Sequence, residues 1–213
     1  MYVADTWNGR VQVFGADGTW KREFGGDFFG PRGIAVDAAG HVFVADTGNG
    51  RIVRFDAAGT KQAEWGKADG PGRLAGPNGL ALAPGGGLWV ADNDHGRAVL
   101  FTPDGAFVRA FDVGGWRRET FSEPYLAVDA KGVVWCSIPL VGEVRGYAPD
   151  GTLLATARGK DQPEGQRFQK PSGLALLPGG RLAVADLEGR VVVISLPLQP
   201  GSARPRSSSS FSR

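Results

Sequence analysis

The sequence predicts an all-β fold, a β-propeller of four-stranded blades, on three observations. A phrase recurs along the chain: Val42-Phe43-Val44-Ala45-Asp46 followed by Gly50-Arg51, with copies at Tyr2–Arg10, Leu88–Arg97 and Val184–Arg190. Its spacing is propeller-like, since Asp5 to Asp46 is 41 residues and Asp46 to Asp92 is 46, within the roughly 40–50-residue period of blades and solenoids. Each unit holds several short β-like runs separated by Gly, Asp, Asn and Pro, with no apolar stripe at helical spacing. Four short strands per unit make a blade.

Strand a follows a proline: Gly33-Ile34-Ala35-Val36, Gly79-Leu80-Ala81-Leu82, Leu126-Ala127-Val128 and Gly173-Leu174-Ala175-Leu176. These are the expected inner strands. Turns such as Ala38-Ala39-Gly40 and Pro84-Gly85-Gly86 lead into strand b, the Val-x-Val-Ala-Asp run. Strand c follows the arginine, as in Ile52–Phe55. Strand d comes after a turn such as Asp17-Gly18 or Asp104-Gly105, a hairpin signal. Strands a and b are apolar without alternation, as a strand buried on both faces must be. Strand d is mixed, as in Lys61-Gln62-Ala63-Glu64-Trp65, which suits a rim strand whose charges discourage edge pairing.

A fourth copy at 133–147 is degenerate: Trp135-Cys136-Ser137 stands for Val-Ala-Asp, Glu143 for Arg, and Tyr125 for the strand-a glycine. The units run over about 1–25, 26–66, 67–112, 113–158 and 159–198. The first has b-c-d and the last a-b-c, so eighteen strands are expected, about four and a half blades in an incomplete or open ring. Met1 occupies an ordinary strand position, which suggests a fragment or an internal start. Residues 199–213, rich in Ser and Arg, form a low-complexity tail expected to be disordered.

Composition narrows the function. A net charge of +2 implies neither DNA nor a membrane surface as partner. One cysteine, Cys136, excludes an intrachain disulfide, and its apolar surroundings predict a buried thiol. No run approaches the roughly 18 apolar residues of a membrane span, and no signal peptide opens the chain. These features fix no compartment: the default expectation is cytoplasmic, and extracytoplasmic if the chain is truncated behind an upstream anchor.

The pattern Pro-x-Gly-Leu/Ile-Ala, then Val-x-Val-Ala-Asp-Thr-x-Asn-x-Arg, then Phe with Asp-Gly, resembles the NHL repeat. The resemblance runs from residue 2 to about 198 and implies a propeller, most often of six blades. It implies no single function, because the fold hosts many. Some similar domains bind RNA through a basic face, some similar propellers are zinc-dependent lyases, and bacterial arrays often follow a membrane anchor.

Candidate residues fall into two groups. The recurring pairs Asp5/Arg10, Asp46/Arg51, Asp92/Arg97 and Asp186/Arg190 are expected to be structural, because contacts that stabilise a repeat recur in each unit. His41 and His95 sit in loops of opposite disc faces and cannot share a metal ion. No nucleophile elbow and no phosphate loop is present. No catalytic residue, metal or cofactor is therefore expected. The variable d–a loops, Gly25–Pro31, Gly66–Pro77, Asp112–Glu123 and Gly159–Pro171, line one face together with the b–c loops, here called the top. Their Arg32, Arg73, Trp116, Arg117, Arg118 and Arg167 are the expected binding residues, by aromatic and arginine character. The competing reading has Phe28, Phe29, Trp116 and Phe168 covering blade edges. The function expected is non-catalytic protein binding, with RNA binding or a lyase as alternatives.

Overall fold

The computed structural model describes residues 1–116 and 123–196. Among them are eighteen strands in five antiparallel meander sheets. Blade 1 has β1 (Tyr2–Asp5), β2 (Arg10–Phe14) and β3 (Trp20–Gly25). Blade 2 has β4 (Pro31–Val36), β5 (Val42–Asp46), β6 (Arg51–Phe55) and β7 (Lys61–Trp65). Blade 3 has β8 (Pro77–Leu82), β9 (Leu88–Asp92), β10 (Arg97–Phe101) and β11 (Phe107–Asp112). Blade 4 has β12 (Leu126–Val128), β13 (Val134–Ile138), β14 (Glu143–Tyr147) and β15 (Leu153–Arg158). Blade 5 has β16 (Pro171–Leu177), β17 (Arg181–Asp186) and β18 (Arg190–Ser195). The expected four and a half blades are thus five, the first and last three-stranded.

The turns follow from their side chains. Asp56 Oδ1 accepts from the backbone N–H of Ala58 and Thr60, while Gly59 takes φ +89°. Asp37 does the same for Ala39 and His41. Such local bonds fix a tight turn, and glycine supplies the left-handed residue without a Cβ penalty.

The first strand of each complete blade is inner. β4 packs on β8, β8 on β12 and β12 on β16. Gly33 permits the approach, since a Cβ there would lie 2.0 Å from the Asn78 carbonyl oxygen. Four cores fill the four junctions between successive blades. Val11, Phe28, Val42 and Phe55 lie between blades 1 and 2, and Phe43, Ile52, Leu74 and Leu88 between 2 and 3. Trp89, Trp116, Leu126 and Ile138 lie between 3 and 4, and Trp135, Phe168, Leu182 and Ile194 between 4 and 5. Val42 and Val44 face one junction and Phe43 and Ala45 the next. Both faces of β5, β9 and β13 are therefore buried, which removes the polar alternation. β1 and β17 are only partly buried.

The strand register corrects the reading of blade 4. Asp46 pairs with Arg51 and Asp92 with Arg97, whereas Ile138 pairs with Glu143. Ile138, not Ser137, stands where the other blades have Asp. Ser137 corresponds to Ala45, and its Oγ accepts from the Tyr125 backbone N–H.

Candidate partner-binding face

The top face is built from the ends of the b strands. Asp46 is fully buried. Its Oδ1 accepts from the Phe29 backbone N–H at 2.7 Å, and its Oδ2 from Asn49 and from Arg51 Nε at 2.9 and 2.6 Å. The carboxylate thus clips the incoming d–a loop to the b–c turn. Arg51 also binds Glu64 and Asp27. Burial opposes its charge, but Asp27 and Asp46 more than offset this and raise its pKa. Asp92 repeats the clip with Ala75 N–H, His95 Nδ1 and Arg97 Nε. Asp186 does so with the N–H groups of Gln169 and Lys170 and with Arg190. Burial would raise the Asp186 pKa, and those amide donors hold it below the usual value instead. Asp5 binds Asn8, Arg10 and Gln12.

Blade 4 replaces this polar clip with an apolar one. Ile138 packs beside Trp116, whose Nε1 donates to the Ser137 carbonyl at 2.7 Å. With no carboxylate at 138, the charge at 143 is reversed. Glu143 accepts from Arg145 on its own strand and from Arg158 on β15.

The expected binding residues separate. Trp116 is 5% exposed and belongs to the junction of blades 3 and 4. It covers the blade edge and offers no face to a partner, because its indole is the apolar anchor of its loop. Phe28, Leu74 and Phe168 anchor the other d–a loops in the same way. Arg32 lies on β4, not in a loop, and pairs with Glu123 from the loop entering blade 4. Arg73 is exposed and bonded to Asp69. Arg167 is exposed, and its Nε donates to the Gln162 carbonyl. Arg117 and Arg118 lie outside the described residues.

The exposed apolar side chains of this face are elsewhere, mainly at the tips of the b–c turns. Trp7 is 96% exposed and Phe29, in a d–a loop, 70%; both border a cavity of about 290 Å³. Leu140, Val141 and Leu187 are also exposed. A signal for the turn-tip residues existed in the sequence. The residue after Asp-Thr or its equivalent is Trp7, Gly48, Asp94 and Leu140 in turn, the position of that turn that varies from the first copy onward.

The two histidines hold separate carboxylates. His41 Nδ1 donates to Asp37 in a bottom turn, and His95 Nδ1 to Asp92 at the top. Among the described residues, no three of His, Cys, Asp and Glu converge. Cys136 is fully buried, and burial pushes its thiol pKa up. No helix among the described residues is long and apolar enough to cross a membrane.

Two segments, residues 28–55 and 74–97, match the NHL repeat. The chain is thus a β-propeller that carries NHL repeats in blades 2 and 3. A search of curated proteins by sequence found no match. Its fold is similar to that of virginiamycin B lyase from Staphylococcus aureus, at 13% identity and a TM-score of 0.63, covering 92% of this chain and 66% of that one. It is similar to a chain of a nidogen/laminin complex at 20% identity and 0.67, covering 88% and 75%. It is also similar to a chain of the structure of BBS1N in complex with ARL6DN at 16% and 0.61, covering 89% and 59%. The chain spans less than two thirds of the lyase and of the matched chain of the BBS1N structure.

Proposed function

We propose that this chain is a non-catalytic module that binds a protein partner on its top face. One observation carries the reading: Trp7 and Phe29 both stand exposed on that face and border one cavity. Large exposed aromatics are what interface centres use, since they bury much area for little lost freedom. The repeated Asp and Arg are engaged in holding loops, and each histidine is tied to its own carboxylate. Two of the similar folds come from structures of protein complexes, nidogen with laminin and BBS1N with ARL6DN. The four junction cores among five blades support reading the ring as open between blades 5 and 1.

The test is partner capture with the intact chain as bait. A protein retained by the wild type should be lost with Trp7→Ser plus Phe29→Ser and kept with His41→Ala. Loss with His41→Ala alone would move the site to the bottom face. Capture that disappears on ribonuclease treatment and falls steeply with salt would replace the protein reading with RNA.

A further inference from the structure

In blades 1 to 3 the b–c turn is polar at its third residue for a reason. Asn8, Asn49 and His95 each donate to the Asp that ends strand b. Blade 4 has Ile138 there, so its turn, Pro139-Leu140-Val141, no longer needs a donor. This explains why position 141 is not polar. It does not explain why Leu140 and Val141 place apolar side chains 48% and 55% exposed to solvent.

Across the blade junction stands Leu187, 54% exposed. Leu140, Val141, Phe168 and Leu187 line a cavity of about 790 Å³. That volume lies within the roughly 300–1,000 Å³ range of ligand pockets. Arg158, Lys160 and Lys170 border it. The one carboxylate in its wall, Glu143, is engaged by Arg145 and Arg158. Lys170 pairs with Glu188 in an exposed contact at 3.0 Å, of the kind that contributes little and exchanges readily. Lys160 has no ion-pair partner among the described residues. The wall is therefore apolar with a cationic border.

We propose that this pocket takes an acidic, apolar segment of a partner protein. A large apolar side chain sits between Leu140, Val141 and Leu187, and a neighbouring carboxylate lies on Lys160 and Lys170. The chain's own end does not fit this chemistry, because residues 199–213 carry Arg204, Arg206 and Arg213 and no acid. The inference rests on the top-face reading above and adds to it a second contact on that face, with its partner chemistry.

Short random peptides displayed on phage and selected on the intact chain test it. Enriched sequences should combine Asp or Glu with a large apolar residue. A synthetic peptide of that consensus, followed by fluorescence anisotropy, should bind at least about tenfold more weakly to Leu140→Ser plus Val141→Ser. Lys160→Glu plus Lys170→Glu should weaken it comparably, and added salt should lower wild-type affinity. All four positions are at the surface, and circular dichroism verifies that the variants fold. No enrichment, a consensus without acid, or affinity unchanged in the pocket variants overturns the proposal. If affinity falls instead with Trp7→Ser plus Phe29→Ser, the pocket fails while the top-face reading stands. If it falls only with His41→Ala, both fail.

Discussion

At the scale of single residues, the two kinds of clip lead to a measurable difference. A buried Asp needs its Arg, and Ile138 needs none. Ile138→Asp alone places a carboxylate beside Glu143, in a site built for an apolar chain, and should be strongly destabilising. Glu143→Arg alone puts a third cation beside Arg145 and Arg158. Together the two changes restore the pattern of blades 2 and 3. The double variant should therefore be more stable than the sum of the single losses, by about 1 kcal/mol or more in a denaturant-unfolding cycle. Additive losses would refute the register argument. The Asp–Arg pairs were legible as structural because they recur. At blade 4 the likeness of Trp135-Cys136-Ser137 to the b run points to Ser137, one residue before the true position. The constant step of five from Asp46 to Arg51 and from Asp92 to Arg97, counted back from Glu143, reaches Ile138.

At the scale of elements, each d–a loop is pinned by one large apolar residue driven into the junction beneath it. Trp116→Ala should cost about 3–5 kcal/mol of stability, as expected for truncating a buried Trp, and lower the thermal midpoint. A variant with an unchanged midpoint and weakened partner capture would restore Trp116 to the binding surface. The loops themselves were visible as variable segments between strands d and a. Their division of labour was not, because a Trp or Phe in a loop reads the same whether it points into a junction or into solvent. Phe28 and Phe29 show the difficulty: adjacent and identical in type, one is buried and the other 70% exposed. Their opposite fates are set by the Asp46 clip, which bonds the Phe29 amide and so orients the pair.

At the scale of the molecule, unequal burial among blades should appear as unequal protection. Blades 2, 3 and 4 bury both faces of their second strands, while Val3, Val191 and Val193 lie exposed on blades 1 and 5. Native-state hydrogen exchange should therefore be slowest in β5, β9 and β13 and faster in β1 and β18. Uniform protection would show that the five blades open as one unit. Acid sensitivity belongs to the same scale. Asp56, held by turn amides, and Asp186 have pKa values below the ordinary 3.8. Asp27 and Glu64, beside Arg51 and Lys61, are likewise lowered. Depressed carboxyls contribute stability that is complete above their unfolded values and disappears as pH falls through the folded ones. The thermal midpoint should change little between about pH 5 and 7 and drop below about pH 4. A midpoint as high at pH 3 as at pH 6 would contradict this. The strand order and inner strands were legible because period and turn chemistry are local. Which faces stay exposed depends on neighbours distant in sequence.

The single thiol gives this propeller an internal clock. Cys136 is fully buried in β13, at the middle of blade 4, and burial keeps it protonated. Only the thiolate attacks an alkylating reagent, so modification must wait for the blade to part. The rate of maleimide labelling then counts openings of one blade in the unaltered sequence, with no engineered probe. The thiol lies in the junction of blades 3 and 4, so a ligand that braces blade 4 should slow that count, while one seated on Trp7 and Phe29 should leave it running at its own pace.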